Sequence, residues 1–194
     1  VMSLANRLAE RGNPQSPSDF GGAVAQQDFR DAMASLAATA CLVTAQGEDQ
    51  RLGRTVTAAL SLSVTPPGIL ISIDAGSALA SLIQKVGAFS FAMLSESQQA
   101  VADAFAGKVA AEHRFDHGNW QDWPSGQPRL LDSVVTMDCL VITEVKLAGH
   151  ILFTGQPRQI ANDDSRWPLI WHRRRYNSVC PLELVDQREK GTAP

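Results

Sequence analysis

Hydrophobic and polar positions along the chain switch between a helical and an extended rhythm. Phe29, Met33 and Leu36 recur at i, i+4 and i+7, which predicts one face of a helix with Asp28 as its cap. Cys41-Leu42-Val43-Thr44 reads as a strand, followed by a polar loop over 47–53. Residues 55–65 are rich in small and β-branched side chains and predict one long strand. Pro66-Pro67 must stop it, because two prolines remove successive ladder donors. Residues 69–73 form the next strand. Gly76-Ser77 then opens a helix through Leu79, Leu82 and Ile83. A strand is predicted over 89–94, and a helix over 97–105 with Ser97 as cap and Val101 and Phe105 on one face. After a long loop holding His113, His117, Trp120 and Trp123, three more strands are predicted at 134–145, 151–160 and 169–179.

The resulting order is β-β-β-α-β-α-β-β-β. A doubly wound parallel sheet alternates strand and helix throughout, so that class is excluded. A mainly β (α+β) fold, an antiparallel barrel with two or three packed helices, fits the order. Residues 1–26 read as a polar N-terminal tail with prolines and glycines, 27–185 as the folded domain, and 186–194 as a polar C-terminal tail.

Composition sharpens this picture. With 194 residues, 44% hydrophobic and 19% charged, the chain suits one soluble domain with a sizeable core. A net charge of −3 does not favour phosphate backbones, so a nucleic-acid partner is not expected. No apolar run approaches the roughly 18 residues of a membrane span. The N-terminus lacks the apolar stretch of a secretory signal. Cys41, Cys139 and Cys180 are odd in number and far apart, which fits small core residues in a reducing cytoplasm rather than a disulfide framework.

Several chemical signals fail on inspection. There is no Gly-x-Gly-x-x-Gly and no Gly-x-Ser-x-Gly. Gly47 to Thr55 has the wrong spacing for a phosphate loop, and Arg54 stands where such a loop needs lysine. His113 and His117 are spaced i, i+4 but have no third ligand nearby, so a solvated loop is the better reading and no metal is expected. Arg173, Arg174 and Arg175 lie in a strand pattern, where alternation sends Arg174 to the opposite side. They read either as a solvated edge or as a contact to a bound anion.

Two signals remain. Thr55, Thr57, Ser61 and Ser63 share one parity on the predicted long strand, with Ala59 between them. They are either a plain hydroxyl-rich strand face or a shallow trough able to meet the polar edge of a flat heterocycle. Asp74-Ala75-Gly76-Ser77 opens a helix, and Ser77 is either an ordinary cap or part of a phosphate seat.

At this point the sequence resembles the flavin reductase-like proteins of the FMN-binding split-barrel fold, over about residues 28–180. The resemblance is carried by Phe29-Arg30-x-Ala32-Met33, Gly53-x-Thr55, Ser61-x-Ser63 and Pro66-Pro67. It continues through Ser77, Gly87-x-Phe89, Leu94 with Gln98, Phe105-Ala106, Trp120 and Pro128-x-Leu130. It ends on Cys139, Gly149-His150 with Gly155, Pro168-Leu169-Ile170 and Arg175-Tyr176. The wording is most similar to the short NAD(P)H:flavin reductases that serve two-component monooxygenases, with the pyrimidine-degradation type close by.

The resemblance implies a homodimeric split β-barrel that binds FMN or FAD and takes hydride from NADH or NADPH, with a flavin-dependent monooxygenase as partner. It places Thr55, Thr57, Ala58 and Ser61 along the isoalloxazine and ribityl parts and Ser77 on the phosphate, with Arg54 as a further cofactor-binding position. Phe105 and Ala106 are carried over as cofactor-binding positions. Arg175 and Tyr176 lie near the nucleotide pocket, and His150 near the flavin and nicotinamide. Family members usually have Gly-Asp-His where this chain has Ala148-Gly149-His150, and lack an acid at Asp74, whose charge beside a phosphate asks for compensation by Arg54 or Lys85. The alternatives are a non-enzymatic flavin-binding or sensing module, and a split-barrel oxidase acting on its own substrate.

Overall fold

The computed structural model describes residues 24–181. The chain divides into two compact units, 1–36 and 37–194. Of the expected N-terminal tail over 1–26 only residues 24–26 are described, and the expected C-terminal tail over 186–194 lies outside the described residues.

In the first unit, Gln26–Met33 forms helix α1. Its cap position is Ala25, without a side-chain bond, and Asp28 lies inside the first turn, where its charge still suits the helix dipole. Phe29, Met33 and Leu36 are all exposed, so the expected apolar face is uncovered among the described residues.

The second unit is built on strands β1 (Ala38–Thr39), β2 (Cys41–Gln46), β3 (Arg51–Val56), β4 (Ala59–Val64) and β5 (Pro67–Asp74). Helix α2 (Ala78–Val86), strand β6 (Ala88–Met93) and helix α3 (Gln99–Asp103) follow. Strands β7 (Trp120–Asp122), β8 (Pro128–Leu130), β9 (Val135–Leu147), β10 (His150–Asn162), β11 (Ile170–His172) and β12 (Arg175–Asn177) complete it. Seven strands form one sheet in the order β3-β2-β6-β9-β10-β5-β4, with every neighbour antiparallel.

This order decides the shape of the sheet. Strands β3 and β4 are its two edges, yet only Thr57 and Ala58 join them. Three residue steps reach at most about 11 Å. The sheet must therefore curl until its edges meet at a seam that carries no ladder, which makes it an antiparallel split barrel. The long strand expected over 55–65 is two strands with this corner between them. Nothing in a run of small and β-branched residues marks such a break, since Thr57 and Ala58 suit a strand as well as a turn.

Alternation along the strands separates two cores. Val43, Ile71, Ile73, Phe89, Phe91 and Phe153 fill the barrel, and α2 adds Leu79, Leu82 and Ile83. On the other face of β2 and β6, Leu42 and Ala92 pack with Leu94, Val101, Ala102 and Phe105. Two glycines make close approaches possible. A Cβ at Gly53 would lie 2.7–2.8 Å from the Phe105 ring and Thr44, and one at Gly155 would run into the Phe89 ring. Cys41 and Cys139 are core thiols, and burial pushes both up to about 12, whereas Cys180 is exposed and not the core residue expected.

Helix α2 keeps its expected cap, Ser77. The helix predicted over 97–105 starts earlier than expected, as a 3-10 turn over Glu96–Gln98 capped at Ser95. Gln98 explains this: its Oε1 accepts the Ser95 N–H at 3.0 Å, the return half of a capping box. Val101 and Phe105 are buried together, as the pattern predicted. The expected strand over 169–179 is instead the hairpin β11–β12, turning at Arg173 and Arg174 with φ of 49° and 59°. The arginines therefore do not alternate across a strand. Such a two-residue turn normally advertises itself by Gly or Asn, and neither is present.

Candidate functional site

The barrel seam places several expected residues together. Thr55 and Thr57, at the end of β3, line a cavity of about 190 Å³ with Ala40, Val56, Ala106, Trp171 and Tyr176. Its floor is the corner between β3 and β4. Its wall is the β11–β12 hairpin, which pairs with β1 through Ala38 opposite Trp171. Trp171 and Tyr176 meet edge to face at 4.9 Å, giving that wall a rigid aromatic surface.

Thr55 does not present a free hydroxyl. Its Oγ1 donates to the Ala102 carbonyl at 2.7 Å, tying β3 to α3. With its proton so used, the oxygen can meet a ligand only as an acceptor. Tyr176 donates to Asp103 Oδ1 at 2.9 Å, and Lys108 pairs with the same oxygen at 2.9 Å. Burial and then the Asp103 carboxylate hold the Tyr176 phenol above its ordinary range, so it remains a neutral donor. Asp103 is pulled the other way: desolvation raises it, and the bonds from Lys108 and Tyr176 together outweigh that and leave it below the usual carboxylate range.

A second group lies on the outer face of β5 and β10. His150 opens β10 after the tight turn at Ala148 and Gly149, whose φ values are 50° and 81°. Its Nδ1 lies 3.2 Å from Ser72 Oγ. Ser72 N–H donates to the Ala58 carbonyl at 3.0 Å, so this group adjoins the same corner. Asp74 is in register with His150 and leads into α2. There Ser77 Oγ accepts the Ala80 N–H at 3.1 Å and donates to the Asp74 carbonyl at 2.7 Å, while Asp74 Oδ1 takes the Gly76 N–H at 2.8 Å. The ordinary capping role of Ser77 is thus fully realised, and the first-turn N–H groups beyond it are the donors an anion would meet.

The remaining expectations divide. The row Thr55, Thr57, Ser61, Ser63 is not one strand face. Thr55 is in register with Leu42 of the outer core, whereas Ser61 is in register with Ile69 of the barrel core, and a bulge separates Ser61 from Ser63. Phe105 is only 1% exposed and packs against Phe115 at 4.9 Å, so its ring does not reach the cavity although its neighbour Ala106 does. Arg54 and Arg175 are exposed. Lys85 sits in the last turn of α2, about 12 Å of helix rise from Ser77, too far to offset Asp74. Sequence reasoning missed Trp171 and Ser72. Trp171 was visible as an aromatic three residues after Pro168, but its hairpin was not. Ser72 carried no signal except a polar residue between Ile71 and Ile73.

Residues 33–179 match the model of the flavin reductase like domain. The chain is 31% identical over 158 residues to an FMN reductase (NADH) RutF of Ancylobacter novellus, covering 81% of this chain and 87% of that one. Among solved structures, a flavin reductase candidate from Haemophilus somnus superposes with a TM-score of 0.77 at 27% identity, over 80% of this chain and all of that one. The styrene monooxygenase flavin reductase SMOB of Pseudomonas putida S12 gives a TM-score of 0.71 at 25% identity, over 80% and 99% of the two chains.

Proposed function

The chain belongs to the flavin reductase-like family, and from that premise we propose that it is an NADH-dependent flavin reductase. The observation that carries this reading is the seam: one corner of backbone brings a hydroxyl-lined, aromatic-walled cavity beside an exposed histidine. When bound, a flavin supplies the hydride acceptor and a nicotinamide the donor, so no side chain has to act as acid or base in that step. The protein's task is to hold two flat rings at reacting distance.

Thr55, Thr57 and Ala58 form the edge that meets the heterocycle, with the small side chain of Ala106 on the cavity lining leaving room for it. Thr55 Oγ1 is available to accept from a ring N–H, because its own proton is committed to Ala102. Arg54 and Ser61 flank the corner and are assigned to the polar chain of the cofactor. The start of α2 at Ser77 is assigned to the phosphate, and Arg175 with Tyr176 to the nucleotide side. His150 guides the nicotinamide. FMN is the expected flavin, in line with the relative named FMN reductase (NADH), and FAD the alternative.

We further assign a homodimer. One protomer's cavity, about 190 Å³, is smaller than the roughly 300 Å³ at which ligand pockets begin. Strand β4 exposes Leu60, Leu62 and Val64, and β9 exposes Leu140, Ile142, Val145 and Leu147. Exposed apolar side chains grouped along a strand in this way mark a surface that is covered in use. A flavin-dependent monooxygenase as recipient is supported by the likeness to a reductase named for styrene monooxygenase. Buried, unreactive Cys41 and Cys139 suit work in a reducing cytoplasm. Steady-state NADH oxidation with added FMN, FAD or no flavin tests the reading. Oxidation that requires flavin supports it, and oxidation indifferent to flavin overturns it.

A further inference from the structure

Beyond that reading, and resting on its assignment of His150 to the nicotinamide, we infer that Ser72 is a positioning residue for His150. Its hydroxyl donates to Nδ1, at the 3.2 Å recorded, and so holds the neutral ring with its proton on Nε2, on the far side of the ring.

The other neighbours of His150 do not orient its ring. The residue before His150 is Gly149, which has no side chain. Asp74 lies directly across the ladder, yet its Oδ1 is drawn into the entry turn of α2 by the Gly76 N–H at 2.8 Å. Ser72 is in register with Leu152, two residues from His150, so Ser72 and His150 are diagonal neighbours on one face of the β5–β10 pair. A hydroxyl there reaches Nδ1 without leaving the strand. A histidine ring with an acceptor at Nδ1 is the tautomer that neutral imidazole already prefers, and fixing it decides which nitrogen offers a proton to a ligand.

Ser72 is also anchored. Its N–H donates to the Ala58 carbonyl at 3.0 Å, in the corner between β3 and β4. The residue that orients His150 is therefore fixed to the backbone that meets the flavin. One serine sets the histidine relative to the corner, which is the relation hydride transfer depends on.

The test is spectroscopic and kinetic. Long-range proton–nitrogen spectra of ¹⁵N-histidine protein, with His150 assigned by its loss in His150→Ala, report the tautomer. Wild type is expected to show Nε2 protonated and Nδ1 bare. Ser72→Ala is expected to let the Nδ1-protonated form appear as a minor population beside the favoured one, and Ser72→Thr to suppress it again. In parallel, Ser72→Ala should lower kcat/KM for NADH about fivefold, the scale of one neutral hydrogen bond, without changing flavin affinity. The loss should vanish when His150 is already alanine. Unchanged tautomer signals in Ser72→Ala, or an equal kinetic loss in the His150→Ala background, would overturn the inference. A tautomer shift in Ser72→Ala alongside wild-type kinetics in His150→Ala would sustain the hydrogen bond and strike down the nicotinamide role beneath it.

Discussion

Replacing Thr55 by valine removes one oxygen and keeps shape and β-propensity. Two separate losses follow from where that oxygen sits. Its proton goes to the Ala102 carbonyl at 2.7 Å, a bond between β3 and α3. Losing a neutral hydrogen bond of this kind costs about 1 kcal/mol. In a domain of this size that lowers Tm by about 2–4 °C. Its lone pairs line the cavity, so a flavin loses an acceptor worth a similar amount, about fivefold in Kd. Thr55→Ser keeps the oxygen and should keep both properties closely. Melting the flavin-free protein isolates the first loss, because bound ligand would add its own stabilisation. Quenching of FMN fluorescence on titration reads the second. A lower Tm with unchanged FMN affinity would show that Thr55 only ties β3 to α3, and would remove it from the site. An unchanged Tm would refute the hydrogen bond itself.

Three other outcomes are expected. Riboflavin should bind more weakly than FMN if the start of α2 holds the phosphate, and equal affinities by the same titration would reduce Ser77 to a helix cap. Gly155→Ala should cost about 1–3 kcal/mol in urea denaturation, because the added Cβ has the Phe89 ring on one side and Cys139 Cβ at 3.1 Å on another; a neutral result would mean the barrel wall yields there. Ile142→Lys, on the exposed face of β9, should convert the proposed dimer to monomers in sedimentation, and an unchanged assembly would place any subunit contact elsewhere.

Much of the architecture was legible because burial writes period into the chain. Ile69, Ile71 and Ile73 alternate with Leu70 and Ser72, and both the strand and its inward face follow from that. What could not be read were the places where the chain turns without turn residues. Thr57-Ala58 and Arg173-Arg174 are both corners forced by tertiary pairing, and neither carries Gly, Asn or Pro. The first split the hydroxyl row that looked like a single trough, and the second hid the hairpin that brings Trp171 to the cavity. Some residues that carried the resemblance are in close packing contact. Gly53 and Phe105 occupy one close contact, and Gly155 and Phe89 another, each requiring the other's shape. Hydrogen-bonded pairs such as Ser72 with His150 are separated by 78 positions and leave no local pattern to find.

The reaction at issue is hydride transfer from NADH to a flavin held at the barrel seam. Its most direct measurement is anaerobic rapid mixing of NADH with protein and FMN, following the visible flavin band and the nicotinamide band together. Both bands should decline in step, one flavin reduced per NADH consumed, and only when the protein is present. FMN that binds the protein but keeps its visible band while NADH persists would contradict it, and would leave a flavin-binding module in place of a reductase.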